Sequence, residues 1–136
     1  MNIVFIGSNP SQKSSSIMPF WSDARSSKTL KSWVAQLNLA KDSCFFYMNV
    51  VNQPTPNNRS LRTSEIKGAL PLLEQHIKNI QADKIVTFGK SAGLALTLLR
   101  LQHYTMPHPS GLNRQLNNKN FIAEKIKGLQ EYLERP

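Results

Sequence analysis

Along the chain, hydrophobic residues are spaced in two alternating ways. Asn2–Gly7, "NIVFIG", is a short continuous run of β-branched and aromatic residues ending in glycine, the pattern of a buried strand. The polar stretch "SNPSQKSSS" follows as a loop. Between Lys28 and Leu39, Leu30, Trp33, Val34 and Leu37 recur three and four apart, which predicts a helix. "CFFYMNVV", Cys44–Val51, predicts a second strand and "NQPTPNNRSLRT" a Pro/Asn loop. A helix then opens at "TSEI", with Thr63 or Ser64 as cap, Glu65 in the first turn, and Leu70, Leu73, Ile77 and Ile80 as its apolar stripe. "KIVTFG", Lys84–Gly89, reads as a third strand, "KSAGLALTLLRL" as a helix and "QHYTM" as a fourth strand. From Asn118 to Leu133, a closing helix carries Phe121, Ile122, Ile126, Leu129 and Leu133 on one face.

Strand and helix alternate throughout. Parallel strands need crossover connections, usually helical, so this order predicts an α/β protein: a three-layer α/β/α sandwich on a parallel sheet. The 136 residues fit one domain, 1–136, with one core. In such sheets ligands bind beyond the carboxyl ends of the strands. Three unusual loops, "GSNPS", "NVVNQPTPNN" and "HPSGLNR", each follow a strand. All three are therefore expected on one edge, around one crevice.

Charge narrows the choice of ligand. Seventeen Lys and Arg against eight Asp and Glu leave a net charge of +9. A surface of that sign attracts polyanions, of which nucleic acid is the commonest. The basic residues are spread along the chain, which predicts a folded basic face rather than a basic tail. No apolar run approaches the roughly 20 residues of a membrane span, and "NIVFIG" lacks the basic flank of a signal peptide. The single cysteine, Cys44, has no internal partner and is expected as a small buried hydrophobe. A cytoplasmic or nucleoid-associated protein, inside the host cell, is the expectation.

The loops exclude several chemistries. "GSNPS" lacks the G-x-G-x-x-G spacing of a dinucleotide site and the G-K-[ST] of a P-loop. What it offers is Asn9, an amide beside a stiffening proline, able to position a water or read a polar edge, or else simply a turn-former. In "HPSGLNR", His108 lies between two prolines, and a neutral imidazole held there can donate to developing negative charge. Ser110 and the amides around Gly111 suit a phosphate, and Arg114 adds positive charge, unless it is merely solvated. Leu112 is either an anchor into the core or a wedge aimed at a partner. Ser110 has no evident triad acid, and His76, His103, His108 and Cys44 have no metal-ligand spacing, so neither a serine triad nor a metal site is expected. His76 reads as a helix-surface residue.

Taken in order, "GSNPS", "NVV", "TFGKSAG" and "HPSGLNR" resemble the motifs of the uracil-DNA glycosylase superfamily, over about Asn2 to Leu133. The stretch "YMNVVNQPTPNNRSLRTSEI…LLEQHI…ADKIVTFGKSA" is similar to the iron–sulfur branch. The first loop is similar to the G-x-N-P-G form of the mismatch-specific branch, and the last loop mixes the two. The resemblance implies a four-stranded parallel sheet with helices on both sides. It also implies hydrolysis of the N-glycosidic bond of a base flipped out of DNA. On that resemblance Asn9 positions the attacking water and His108 stabilises the departing base anion. Asn49 reads the base's Watson–Crick edge, with Asn52 as a rival, and Phe20 or its neighbour Trp21 stacks on the ring. Gly7 and Ser8 complete the base-binding set. Ser11, Ser110, Gly111, Leu112 and Arg114 face the DNA, with Leu112 filling the gap in the stack. Lys90 and Ser91 either cap a helix or touch phosphate.

Three departures qualify this. Cys44 alone cannot hold an iron–sulfur cluster, so no cluster, metal or other cofactor is expected. Asn9 and Ser11 stand where the strongest uracil enzymes carry an aspartate and a bulky tyrosine, which leaves room for a 5-substituted uracil such as 5-hydroxymethyluracil. The chain is also shorter than most members and would lean on its charge to grip DNA. The expectation is a monomeric, monofunctional glycosylase of DNA. Its alternative is a non-catalytic module of the same fold that recognises a modified base. An enzyme of free nucleotides is disfavoured, because a small substrate needs no broad basic face.

Overall fold

A computed structural model describes residues 1–9, 25–39, 41–53, 55–109 and 114–135; at 25–27, 58, 114 and 116 it describes the backbone only. Its elements run β1 (Asn2–Gly7), α1 (Arg25–Ala35), β2 (Cys44–Asn49), α2 (Thr63–Asn79), β3 (Lys84–Phe88), α3 (Gly89–Leu98), β4 (Tyr104–Met106) and α4 (Lys119–Glu134). Short 3-10 turns lie at Pro56–Asn58 and Arg114–Asn117. The four strands form one sheet in the order β2-β1-β3-β4, and every pairing is parallel.

Alternation along the strands sorts the core into two layers. Val4, Ile6 and Ile85 face Ile66, Leu73 and Ile77 of α2 and Ala92, Ala95 and Leu96 of α3. Ile3, Phe5, Val86, Phe88 and Met106 face Leu30 and Trp33 of α1 and Ile126, Leu129 and Leu133 of α4. Phe5 and Phe88 stack with centroids 5.8 Å apart, and Trp33 tilts against Phe88 at 6.2 Å. Of the stripes foreseen for α1, α2 and α4, Val34, Leu37, Leu70, Ile80 and Ile122 are half-buried at the margins, and Leu30, Trp33, Leu73, Ile77, Ile126, Leu129 and Leu133 are buried. Burying each such side chain contributes about 1.5–3 kcal/mol.

Hydrogen bonds close what packing leaves polar. Thr87 is fully buried and pairs its hydroxyl with that of Thr105 at 2.9 Å. The Tyr104 hydroxyl donates to the Lys125 carbonyl at 2.9 Å, seating edge strand β4 against α4. Asn118 caps α4 by accepting the Phe121 amide at 3.0 Å.

Three expectations shift. Arg62, not Thr63 or Ser64, is the N-cap of α2; the Glu65 carboxylate accepts the Arg62 amide at 2.8 Å, but a guanidinium has no acceptor to return the bond. Gly89 starts α3 instead of ending β3. Cys44 is exposed, not buried, because β2 is an edge strand and burial grows only toward its carboxyl end.

The connectivity places the crevice. From β1 the chain passes through α1 to β2, and from β3 it passes through α3 to β4, on the other side of the sheet. Helix α1 packs on one face of the sheet and α3 on the other, so the connections from β1 and β3 serve opposite faces. Between them, beyond the carboxyl ends of two adjacent strands, lies the topological switch point where α/β sheets bind ligands.

Candidate active site

The first wall of the crevice is built by β1 and β2. Gly7 is in register with Asn49. The ladder runs on past the strand ends, where the Val50 amide donates to the Gly7 carbonyl at 2.9 Å and the Val51 amide to the Ser8 carbonyl at 3.0 Å. These bonds tie Gly7 and Ser8 to the start of the second loop. Asn49 is buried, and its Oδ1 accepts the Tyr47 hydroxyl at 3.2 Å. A Cβ at Gly7 would stand 2.9 Å from Asn49 Oδ1 and collide with the Tyr47 hydroxyl, so only glycine lets these two side chains meet there. Burial pushes the Tyr47 phenol far above its ordinary range, so it keeps its proton and stays a donor. Beside it, Ser8 Oγ donates to Asn9 Oδ1 at 3.1 Å, and Asn9 Nδ2 donates to the Gln53 carbonyl at 3.4 Å.

The second loop is braced from behind. Buried Thr55 donates its hydroxyl to the Arg59 carbonyl at 2.5 Å, closing a turn in which Asn57 takes a left-handed φ of 53°. The Arg59 guanidinium grips both oxygens of Glu65, at 2.7 and 3.3 Å. That guanidinium first, and the Arg62 amide second, hold the Glu65 carboxyl down to about 2. The loop is thereby tied to the first turn of α2.

The opposite wall carries His108. It follows β4 between Pro107 and Pro109, both buried. Gly89, at φ 82°, packs under it, with the site of a Cβ 3.4 Å from His108 Cβ and 3.5 Å from Cδ2. Burial lowers the imidazole below its ordinary 6.5, so the ring is neutral at pH 7. β2 and β4 are three strand spacings apart, roughly 14 Å at about 4.8 Å each. Asn49, at the end of β2, and His108, just past β4, therefore flank the carboxyl ends of β1 and β3.

The described residues thus gather Gly7, Ser8, Asn9 and Asn49 in one hydrogen-bonded wall, with His108 on the other side. Asn52 is exposed in the second loop, outside that bonding. Lys90 and Ser91 follow Gly89 in the first turn of α3, whose N-cap, Phe88, makes no side-chain capping bond; the capping role expected of them is not seen. His76 is exposed on α2, as anticipated. Arg114 opens the second 3-10 turn. Ser11, Phe20, Trp21, Ser110, Gly111 and Leu112 lie outside the described residues. Among the described residues no cluster of three His, Cys, Asp or Glu stands ready for a metal, and no helix is long and apolar enough to cross a membrane.

Two residues escaped the sequence reading. Tyr47 looked like one more apolar strand position, although its spacing of two from Asn49 puts both on one face of β2. Gly89 looked like a strand terminator; only its positive φ and its contact with His108 reveal its part.

With this geometry in hand, comparison with known proteins is informative. A family model described as "Uracil DNA glycosylase superfamily" matches residues 1–130. Among curated proteins, the chain is similar to a protein named "DNA polymerase" from Bacillus phage SP01. The two are 26% identical over 124 residues, covering 81% of this chain and 13% of that relative. The chain therefore spans a small fraction of the curated relative it matches.

Proposed function

The chain belongs to the uracil DNA glycosylase superfamily, and from that premise we propose that it is a monofunctional DNA glycosylase. It hydrolyses the N-glycosidic bond of a flipped-out uracil, or of a 5-substituted uracil, and leaves an abasic site. The observation that carries this reading is the pairing at the switch point of an amide wall, Asn9 and Asn49, with a neutral His108.

A duplex hides the bond to be cut, so the nucleotide is first extruded at a cost of a few kcal/mol. Asn49 reads the pyrimidine edge through its amide. As the bond to C1′ stretches, positive charge develops on the sugar and negative charge on the base. His108 donates a hydrogen bond to that negative charge; being neutral, it delivers a dipole without a transferable excess proton. Water held by Asn9 adds to C1′, its surplus proton passes to solvent, and the base leaves with the bonding pair. The net charge of +9 and the likeness to a segment of a phage DNA polymerase support DNA as the substrate.

A second reading, a module that binds a modified base without cleaving it, is favoured by one observation. Asn9 is a neutral amide already bonded at both ends, to Ser8 and Gln53, and an amide does not take up a proton as a carboxylate does. An excision assay separates the two. Labelled oligonucleotides carrying uracil, 5-hydroxymethyluracil or mismatched thymine, single- and double-stranded, are incubated with the protein and treated with alkali. Cleavage at a uracil-type base, reduced about 10²–10³-fold in His108→Ala, is expected of the enzyme. Tight, salt-sensitive binding with no cleavage of any substrate belongs to the module.

A further inference from the structure

An asparagine amide can meet a pyrimidine in two ways. With one orientation its nitrogen donates to a carbonyl while its oxygen accepts an N–H; rotated by 180°, the roles exchange. Uracil, with or without a 5-substituent, presents a carbonyl at position 4 beside an N3–H. Cytosine presents an amine beside a bare N3. An amide free to rotate fits both edges, so Asn49 by itself does not tell them apart.

We propose that Tyr47 is the positioning residue that sets this choice: its hydroxyl holds the Asn49 amide in the orientation that fits uracil-type bases and opposes cytosine. The inference rests on the reading of Asn49 as the base-reading side chain. Tyr47 and Asn49 are two apart on β2 and share a face of the sheet. The hydroxyl donates to Asn49 Oδ1 at 3.2 Å, and Gly7 leaves open the space in which they meet. The reverse bond, from Nδ2 to the phenol oxygen, is the weaker one, because that oxygen's lone pair is delocalised into the ring. Burial keeps the phenol protonated, so the donor persists over the working pH range.

Once Oδ1 is turned back to Tyr47, Nδ2 is the end that diverges from it. Nδ2 then donates to a carbonyl at position 4, and the second lone pair of Oδ1 accepts N3–H. Against cytosine the same orientation sets donor against donor and acceptor against acceptor, which discriminates by repulsion as well as by fit. Loss of one neutral hydrogen bond of this kind changes a ratio by roughly fivefold.

The test compares the wild type, Tyr47→Phe and Asn49→Ala. The probes are duplexes containing one uncleavable 2′-fluoro-deoxyuridine or 2′-fluoro-deoxycytidine, with unmodified duplex as control, so binding is read whether or not the protein cleaves. Tyr47→Phe is expected to lower the uracil-over-cytosine affinity ratio roughly fivefold and to leave affinity for unmodified duplex unchanged; a general structural loss would weaken all three. If Asn49→Ala abolishes the preference while Tyr47→Phe retains it, this proposal is overturned and the reading of Asn49 stands. If Asn49→Ala also retains it, the reading of Asn49 falls, and this proposal with it. Nuclear Overhauser contacts in the wild type supply a check that does not depend on how the variants fold. The Asn49 side-chain NH2 is expected to lie turned away from the Tyr47 hydroxyl, and a contact placing Nδ2 toward that hydroxyl refutes the proposal.

Discussion

Gly89 offers a sharp test, because two substitutions there separate backbone strain from displacement of His108. At φ 82° an L-residue is strained by about 1–2 kcal/mol. Removing a glycine's freedom from the unfolded chain returns about 0.4–1 kcal/mol. Gly89→Ala should therefore lose about 1 kcal/mol net, which for a domain of this size lowers Tm by roughly 3–5 °C. The new Cβ would lie 3.4 Å from His108 Cβ and 3.5 Å from Cδ2, near ordinary contact, so the ring need not move. Activity at 25 °C should survive within a few-fold. Gly89→Val adds two methyl groups about 1.5 Å beyond Cβ, and with so little space the imidazole must shift. A shift near 1 Å is enough to reduce kcat about 10²-fold. The assay is thermal melting together with single-turnover excision, and the His108 imidazole signal in NMR reports displacement directly. An alanine variant with unchanged Tm would refute the strain argument. A valine variant with the wild-type His108 signal and alanine-like kcat would refute the claim that Gly89 seats the imidazole.

Four further outcomes follow from the same geometry. The folded-state pKa of His108 lies below its ordinary 6.5, so the unfolded chain binds its proton first; stability should fall as pH drops through 6.5 toward the folded value, and NMR titration of His108 should show its midpoint below 6.5. Glu65 is depressed from 4.5 to about 2, so its contribution is complete above pH 4.5 and lost as pH falls toward 2; Glu65→Gln should flatten that limb of the acid-unfolding curve. Leu96 of α3 is fully buried in the layer that α3 and α2 form against the sheet, and Leu96→Ala should lose about 2–5 kcal/mol in urea titration, with the slope unchanged. Duplex affinity should fall steeply and linearly with the logarithm of salt concentration, as expected if phosphate contacts dominate, whereas a flat salt profile would exclude a DNA-gripping face.

The order of strands and helices along the chain, the apolar stripes of α1, α2 and α4 and the strand ends at which three polar loops begin were legible in the linear pattern. Each is a local property: periods of two and 3.6 residues follow from backbone geometry and the need to bury one face. Asn9 and His108 stood out because an amide beside proline and a histidine between prolines are unusual in loops, whereas Asn49 stood out only through the family resemblance. The expected burial of Cys44 failed for the complementary reason. Whether the start of a strand is covered depends on which strands flank it, and β2 is at the edge.

What the tertiary structure alone decided is how these residues meet. The order β2-β1-β3-β4 puts the switch point between β1 and β3, and nothing in a one-dimensional pattern says on which side of β1 the chain will add β3. The bond from Asn9 to the Gln53 carbonyl 44 residues away and the seat of His108 on Gly89 are contacts between segments that the sheet brings together, and the bond from Tyr47 to Asn49, although local to β2, needs the space that Gly7 of β1 leaves open. So is the neutrality of His108, since an imidazole's protonation follows from how much protein surrounds it. Spacing along the chain determines which elements form and which residue types their loops carry; the depth of burial and the pairing of groups distant in sequence exist only once the sheet has closed.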